Sequence, residues 1–166
     1  MRTIGVEGQG MQLSKINGFW SEQNAGGCSN HPTYCKNPAF AVNVKAECEV
    51  MFRLNVTSQT MGGFRETDPE KFDIHVAAYL YRTNATSFPL PPDKVPVKSM
   101  RHPTLATNNE HYTGNLSAVV TKKTKVAPGV YVLVPTTFHP HQYGDFEVLI
   151  YSAGNFIQTA PYSHTT

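Results

Sequence analysis

Charge is sparse in this 166-residue chain: 16% of its residues are Asp, Glu, Lys or Arg, and the net charge is only +2. The basic stripe that grips nucleic acid is missing, which argues against a nucleic-acid partner. No run of about eighteen apolar residues occurs, so no stretch reads as membrane-spanning. The first ten residues, Met-Arg-Thr-Ile-Gly-Val-Glu-Gly-Gln-Gly, lack the apolar centre of a secretory signal and read as a loose leader. Cysteine is scarce and odd in number (Cys28, Cys35 and Cys48), which fits reduced thiols in a cytosolic protein and not a disulfide framework. In that setting the glycosylation-type matches at Asn55, Asn84 and Asn115 read as chance. No ten-residue stretch joins a 3.6-residue period to a capping signal. No Asp-x-Asp-x-Asp-Gly loop is present, so calcium binding of the helix-loop-helix kind is excluded.

What the chain does have is twelve Gly, twelve Pro, nine Phe and eight Tyr, a composition of strands and turns. At this length one domain is expected, burying about 70% of the surface that its unfolded chain exposes. The stretch Val130 to Ser152 carries the clearest pattern. Val130, Val132 and Val134 share one face of an extended segment, and Phe146, Val148 and Ile150 share a face of a second. Such alternation predicts half-buried strands. Pro128-Gly129 opens the unit as a turn, Pro135 is expected to end its first strand, and Pro140 and Gly144 shape a wide corner between two antiparallel strands. Met11 to Trp20 reads as an edge strand, with Trp20 a plug against the polar loop Ser21 to Pro38. Phe40 to Val44 and Val50 to Val56 read as strands, either hairpin partners or one strand with a break. Phe72 to Leu80 is the longest clean alternation, Leu116 to Val120 continues into a basic edge at Thr121 to Lys125, and a short strand near Val95 to Met100 fits a proline-rich loop from Thr83 to Thr113. The reading is an all-β antiparallel sandwich over residues 13–155, between a leader, 1–12, and a polar flexible tail, 156–166.

Two sets of motifs add a resemblance. Ile16-Asn17-Gly18-Phe19-Trp20, Ala25-Gly26-Gly27-Cys28 and Asn37-Pro38-Ala39-Phe40 are similar to the opening of the third domain of calpains. The run from Pro128 to His141, with Gly144-Asp145-Phe146 and the strand to Tyr151-Ser152, resembles that domain's closing motif. The resemblance spans Ile16 to Ser152. It implies an eight-stranded, C2-like sandwich from a family of intracellular cysteine proteases, located in the cytoplasm and at most peripheral to a membrane. In the family the protease core precedes this domain, and no such core is present here, so the chain is expected to be non-catalytic. Trp20, Gly26, Gly27, Asn37, Pro38, Pro135, Phe138, Pro140 and Gly144 take structural roles by this resemblance. The implied work is regulation or interaction, with the protease core, another protein or an anionic membrane surface as partner, and with a monomeric domain. A stand-alone scaffolding protein is the alternative.

The chemical candidates follow. Cys28 with His31 or His139 would make a thiol nucleophile and base, the hydrolase reading; the competing reading is a semi-buried loop thiol. Cys28, His31, Cys35 and Cys48 offer zinc ligands at a spacing unlike the usual paired-Cys pattern, and His139 and His141 are only two ligands. By resemblance, the loop holding Glu66, Asp68 and Glu70 corresponds to an acidic calcium- and phospholipid-linked loop. Arg65 and Lys71 offset part of its charge, so a weak calcium site competes with a plain solvated loop. Lys122, Lys123 and Lys125 suit either lipid or partner contact, or protection of a sheet edge.

Overall fold

A computed structural model of the chain describes residues 11–60, 75–91, 97, 100, 102–107, 118–154 and 156–162. These form ten strands: β1 (Met11–Trp20), β2 (Phe40–Val44), β3 (Cys48–Thr60), β4 (Val76–Arg82), β5 (Leu105–Ala106), β6 (Ala118–Val120), β7 (Thr124–Val126), β8 (Gly129–Thr137), β9 (Tyr143–Ala153) and β10 (Ile157–Pro161). A short 3-10 turn covers Tyr34–Lys36. Every strand pair is antiparallel. One sheet runs β1-β9-β3-β6, with β7 also on β3; the other runs β10-β2-β8-β4-β5.

Alternation places one face of each strand between the sheets. Phe52 and Leu54 of β3 and Phe146, Val148 and Ile150 of β9 meet Val42, Val44, Ala78, Leu80 and Leu133 of the second sheet, all buried. The sandwich of antiparallel sheets is therefore as expected, though the connections between strands differ from those expected.

The strands β8 and β9 are not hairpin partners. Each joins a different sheet, so the corner 138–142 crosses from one layer to the other. The same holds for β2 and β3: neither the hairpin nor the broken strand forms, because the turn after Val44 changes layers. Pro135 does not end β8. It lies opposite Ala78 inside the β4–β8 ladder, and the strand continues to Thr137. Nor are the central strands half-buried. Tyr131 and Leu133 face the inter-sheet core, while Val130, Val132 and Val134 enter a second core on the outer face of their sheet. Tyr34, Leu90, Val97, Met100 and Tyr162 cover that face. Strands buried on both sides read as near-continuous apolar runs, and β4 and β8 do.

Two strands lie where loop and tail were expected. β5 falls within the proline-rich stretch, and β10 pairs residues 157–161 with β2, so the domain extends past residue 155. It also begins earlier, since β1 pairs from Met11. The basic edge is two strands, not one continuous strand. Arg53 faces Val120 and Val50 faces Thr124, so the edge gains one residue, a β-bulge. Thr121 anchors it: its amide donates to the Phe52 carbonyl, and its hydroxyl accepts from the Phe52 amide, both at 3.0 Å. The expected start of β4 at Phe72 and most of the stretch Val95 to Met100 lie outside the described residues.

Candidate functional site

The two groups of motif residues, a hundred positions apart in sequence, meet at one end of the sandwich. The glycine-rich loop after β1 docks on the corner after β8. Cys28 donates its amide to the Phe138 carbonyl, and the His141 amide donates to the Ala25 carbonyl, both at 3.0 Å. Glycine is required at both positions of the loop. A Cβ on Gly26 would collide with the Thr33 carbonyl of the same loop, and one on Gly27, at φ +79°, would lie 2.7 Å from the Pro140 nitrogen of the corner. Asn37 is the hub. Its side chain is buried; Oδ1 accepts from the Gly26 amide at 3.2 Å, and the two hydrogens of Nδ2 are shared among the carbonyls of Gly27 at 2.8 Å and Tyr34 at 2.9 Å and Thr136 Oγ1 at 3.1 Å. Thr136 in turn donates to the Gly27 carbonyl at 2.7 Å.

Trp20 closes the clasp from β1. It is 2% exposed, its indole nitrogen donates to the Pro135 carbonyl at 3.3 Å, and its ring lies 4.5 Å from that of Phe146. It is thus a core residue and not only a plug on the loop. Pro38 follows the hub and is half-buried; Gly144 lies opposite Trp20 in the β1–β9 ladder. Phe138 is partly exposed, and its amide donates to the His75 carbonyl at 2.7 Å.

The thiol and histidine candidates fall at different places in this architecture. Cys28 is 3% exposed and lies beneath the clasp, inaccessible to a substrate. Cys48 begins β3 at the opposite end of the sandwich, where burial pushes its thiol pKa up. It therefore does not join Cys28, His31 and Cys35. Among the described residues no three His, Cys, Asp or Glu side chains gather as a metal site. His139 meets the Phe138 ring edge-on at 5.0 Å, and its carbonyl accepts from the Thr137 hydroxyl at 2.7 Å. His141 takes a left-handed backbone conformation, φ 65°. Both histidines shape the corner.

The calcium candidates Glu66, Asp68 and Glu70 lie outside the described residues. The strand ends on either side of them, Thr60 opposite Tyr143 and Val76 opposite Thr137, are at the clasp end. Lys122, Lys123 and Lys125 are exposed on the bulged edge, near Val50. Ten residues of β3 separate Val50 from Thr60, about 34 Å. Lys122 also lines a cleft of about 250 Å³ between the β5 and β7 edges, with Thr104, Thr121 and Thr124.

Two polar arrangements gave little sequence signal. On the outer face of the first sheet, Glu147 accepts from Asn55 at 2.9 Å and pairs with Lys15 at 3.0 Å, while Arg53 donates to Asn55 at 2.7 Å. The hydrogen bond from Asn55, then that from Lys15, holds the Glu147 carboxyl below its ordinary range. At the other end, Arg82 donates to the Pro128 carbonyl at 3.0 Å and to the Tyr131 hydroxyl at 3.3 Å, and that hydroxyl donates to the Ala127 carbonyl at 2.7 Å. Burial raises the Tyr131 pKa; Arg82 opposes the rise. Only the β-period placement of Asn55 and Glu147 on the solvent side could have hinted at the first.

The fold and the clasp together define the class of domain as a two-layer antiparallel β-sandwich closed by these motifs. The family model for calpain large subunit, domain III, matches residues 16–151. The chain belongs to this family, and the domain is a non-catalytic part of calpains. The calpain-2 catalytic subunit of Rattus norvegicus is 29% identical over 154 residues, covering 85% of this chain and 21% of the relative. Calpain clp-4 of Caenorhabditis elegans is 29% identical over 147 residues, 82% of this chain and 20% of the relative. A protein named serine/threonine-protein kinase 4 homolog B, from Dictyostelium discoideum, is 25% identical over 141 residues, 81% of this chain and 11% of the relative. The chain thus spans about a tenth to a fifth of these curated relatives. No helix among the described residues is long and apolar enough to cross a membrane.

Proposed function

We propose that this chain is a recognition and regulatory module of a calpain-type cysteine protease in the cytoplasm, acting through surfaces carried on a rigid sandwich. The observation that carries the reading is the clasp. The residues that carry the resemblance hold two loops together, and the one thiol among them is buried beneath. The similarity to proteins named as protease subunits and to one named as a kinase supports the same reading, since differently named catalytic proteins share this part. The partner is the protease core or another protein chain. The lysines of the bulged edge add weak attraction to an anionic surface, about 1 kcal/mol each at best, and the separate acidic loop is the place where calcium would act.

The test is co-purification of the chain with a calpain-type protease core, together with flotation on phosphatidylserine vesicles with and without calcium. Binding to the core, or vesicle binding lost in Lys122→Glu/Lys123→Glu, supports the proposal. Failure to bind both contradicts it.

A further inference from the structure

A sheet edge presents unpaired amide and carbonyl groups, and proteins usually block it. Three of the four sheet edges among the described residues are blocked. β5 is two residues long, β6 and β7 are split by a bulge with Lys122 and Lys123 exposed, and β10 is five residues ending on Pro161, which has no amide hydrogen. The fourth is not. β1 pairs with β9 along all ten residues without a register shift, contains no proline, and has no strand on its other side among the described residues. Its one cation, Lys15, is drawn along the sheet face to Glu147 at 3.0 Å.

We propose that β1 is a self-association edge, and that its occupant is the β1 strand of a second copy of this chain, running antiparallel about a two-fold axis. The backbone chemistry calls for an extended polypeptide, and the side chains are complementary to themselves. Leu13, Lys15, Asn17 and Phe19 share the outer face, opposite Tyr151, Leu149, Glu147 and Asp145 of β9. Centring the two-fold on Ile16 sets Leu13 against Phe19 of the second copy and Lys15 against Asn17. Apolar meets apolar, and no like charges are directly opposed. Phe19, 56% exposed, is the most exposed large hydrophobic among the described residues, and this register covers it. The Asn24 amide already occupies the Phe19 carbonyl at 2.9 Å, so the new ladder centres on residues 15–17. A contact this short buries less than the roughly 1,200 Å² of stable complexes, so the dimer is weak and the monomer prevails in dilute solution.

Sedimentation velocity from ~10 µM to ~1 mM tests it, because that range spans dissociation constants expected of a weak contact. The wild-type chain is expected to pass from monomer to dimer. Leu13→Glu and Phe19→Lys should each raise the dissociation constant at least tenfold. The double variant should restore the dimer, with a carboxylate and an ammonium now opposed at both symmetric positions. Outward amides of residues 13–19 in the wild type should also exchange more slowly at high concentration, a measurement that needs no variant. A chain monomeric to ~1 mM with unchanged exchange overturns the proposal. So does a dimer indifferent to both single substitutions, or one that the double substitution does not restore.

Discussion

Asn37→Ala is the sharpest perturbation of the clasp. The wild-type side chain accepts one bond, and its two N–H hydrogens serve three close acceptors, all buried. One accepted bond and two donated hydrogens, at a net contribution of about 1 kcal/mol per hydrogen bond, give about 3 kcal/mol. Two effects pull in opposite directions. The Gly27 carbonyl keeps its bond from Thr136, which lowers the loss; the Gly26 amide is left buried without that partner, which costs about 1–3 kcal/mol. The expected destabilisation is about 3–5 kcal/mol, a large share of the 5–15 kcal/mol typical of a whole domain. In urea, with a slope of about 2 kcal/mol/M, the midpoint should fall by about 2 M at unchanged slope. Asn37→Asp keeps the acceptor but loses both N–H donors and buries a charge, so it should be no better tolerated. A midpoint shift under about 0.5 M for Asn37→Ala would refute the claim that this amide holds the two loops together.

Other outcomes follow from the same contacts. Trp20→Ala should cost about 3–5 kcal/mol by chemical unfolding, whereas Trp20→Phe, which keeps most of the ring volume but loses the bond to Pro135, should cost about 1–2 kcal/mol. Glu147 has its folded pKa depressed. The unfolded chain therefore takes up the proton first, and the contribution is full above the ordinary carboxyl value near about 4.3 and lost as pH falls through the folded value. Glu147→Gln should flatten that acid limb by no more than about 1 kcal/mol, because the Lys15 side chain is 52% exposed and the pair is screened. All three thiols are buried, so a bulky disulfide reagent should label none of them quickly in the native chain and all of them in denaturant; rapid native labelling of Cys28 would place it at an accessible surface.

The fold class was legible because the alternating runs at Val50–Val56 and Phe146–Ile150 report directly on a buried face. Layer assignment was not. Strand periodicity gives each segment a buried side but not the sheet to which it belongs, so the crossings at 45–47 and 138–142 read as hairpin-like connections. The doubly buried β8 was misjudged for a related reason: Val130, Val132 and Val134 form one apolar face and Tyr131, Leu133 and Pro135 the other, and only the loops carrying Leu90, Met100 and Tyr162 reveal that both are covered. Polar Gln158 and Thr159 hid a strand that backbone pairing with β2 supplies. At the clasp, the glycines and Asn-Pro announced turns. The bond from Asn37 to Thr136, 99 residues away, left no local trace.

The central claim is that this domain recognises and does not react. Turnover of fluorogenic peptides by the purified 166-residue chain, with and without calcium, tests it most directly. The expected rate is that of buffer alone under both conditions; peptide cleavage by the chain that disappears in Cys28→Ser would contradict the account.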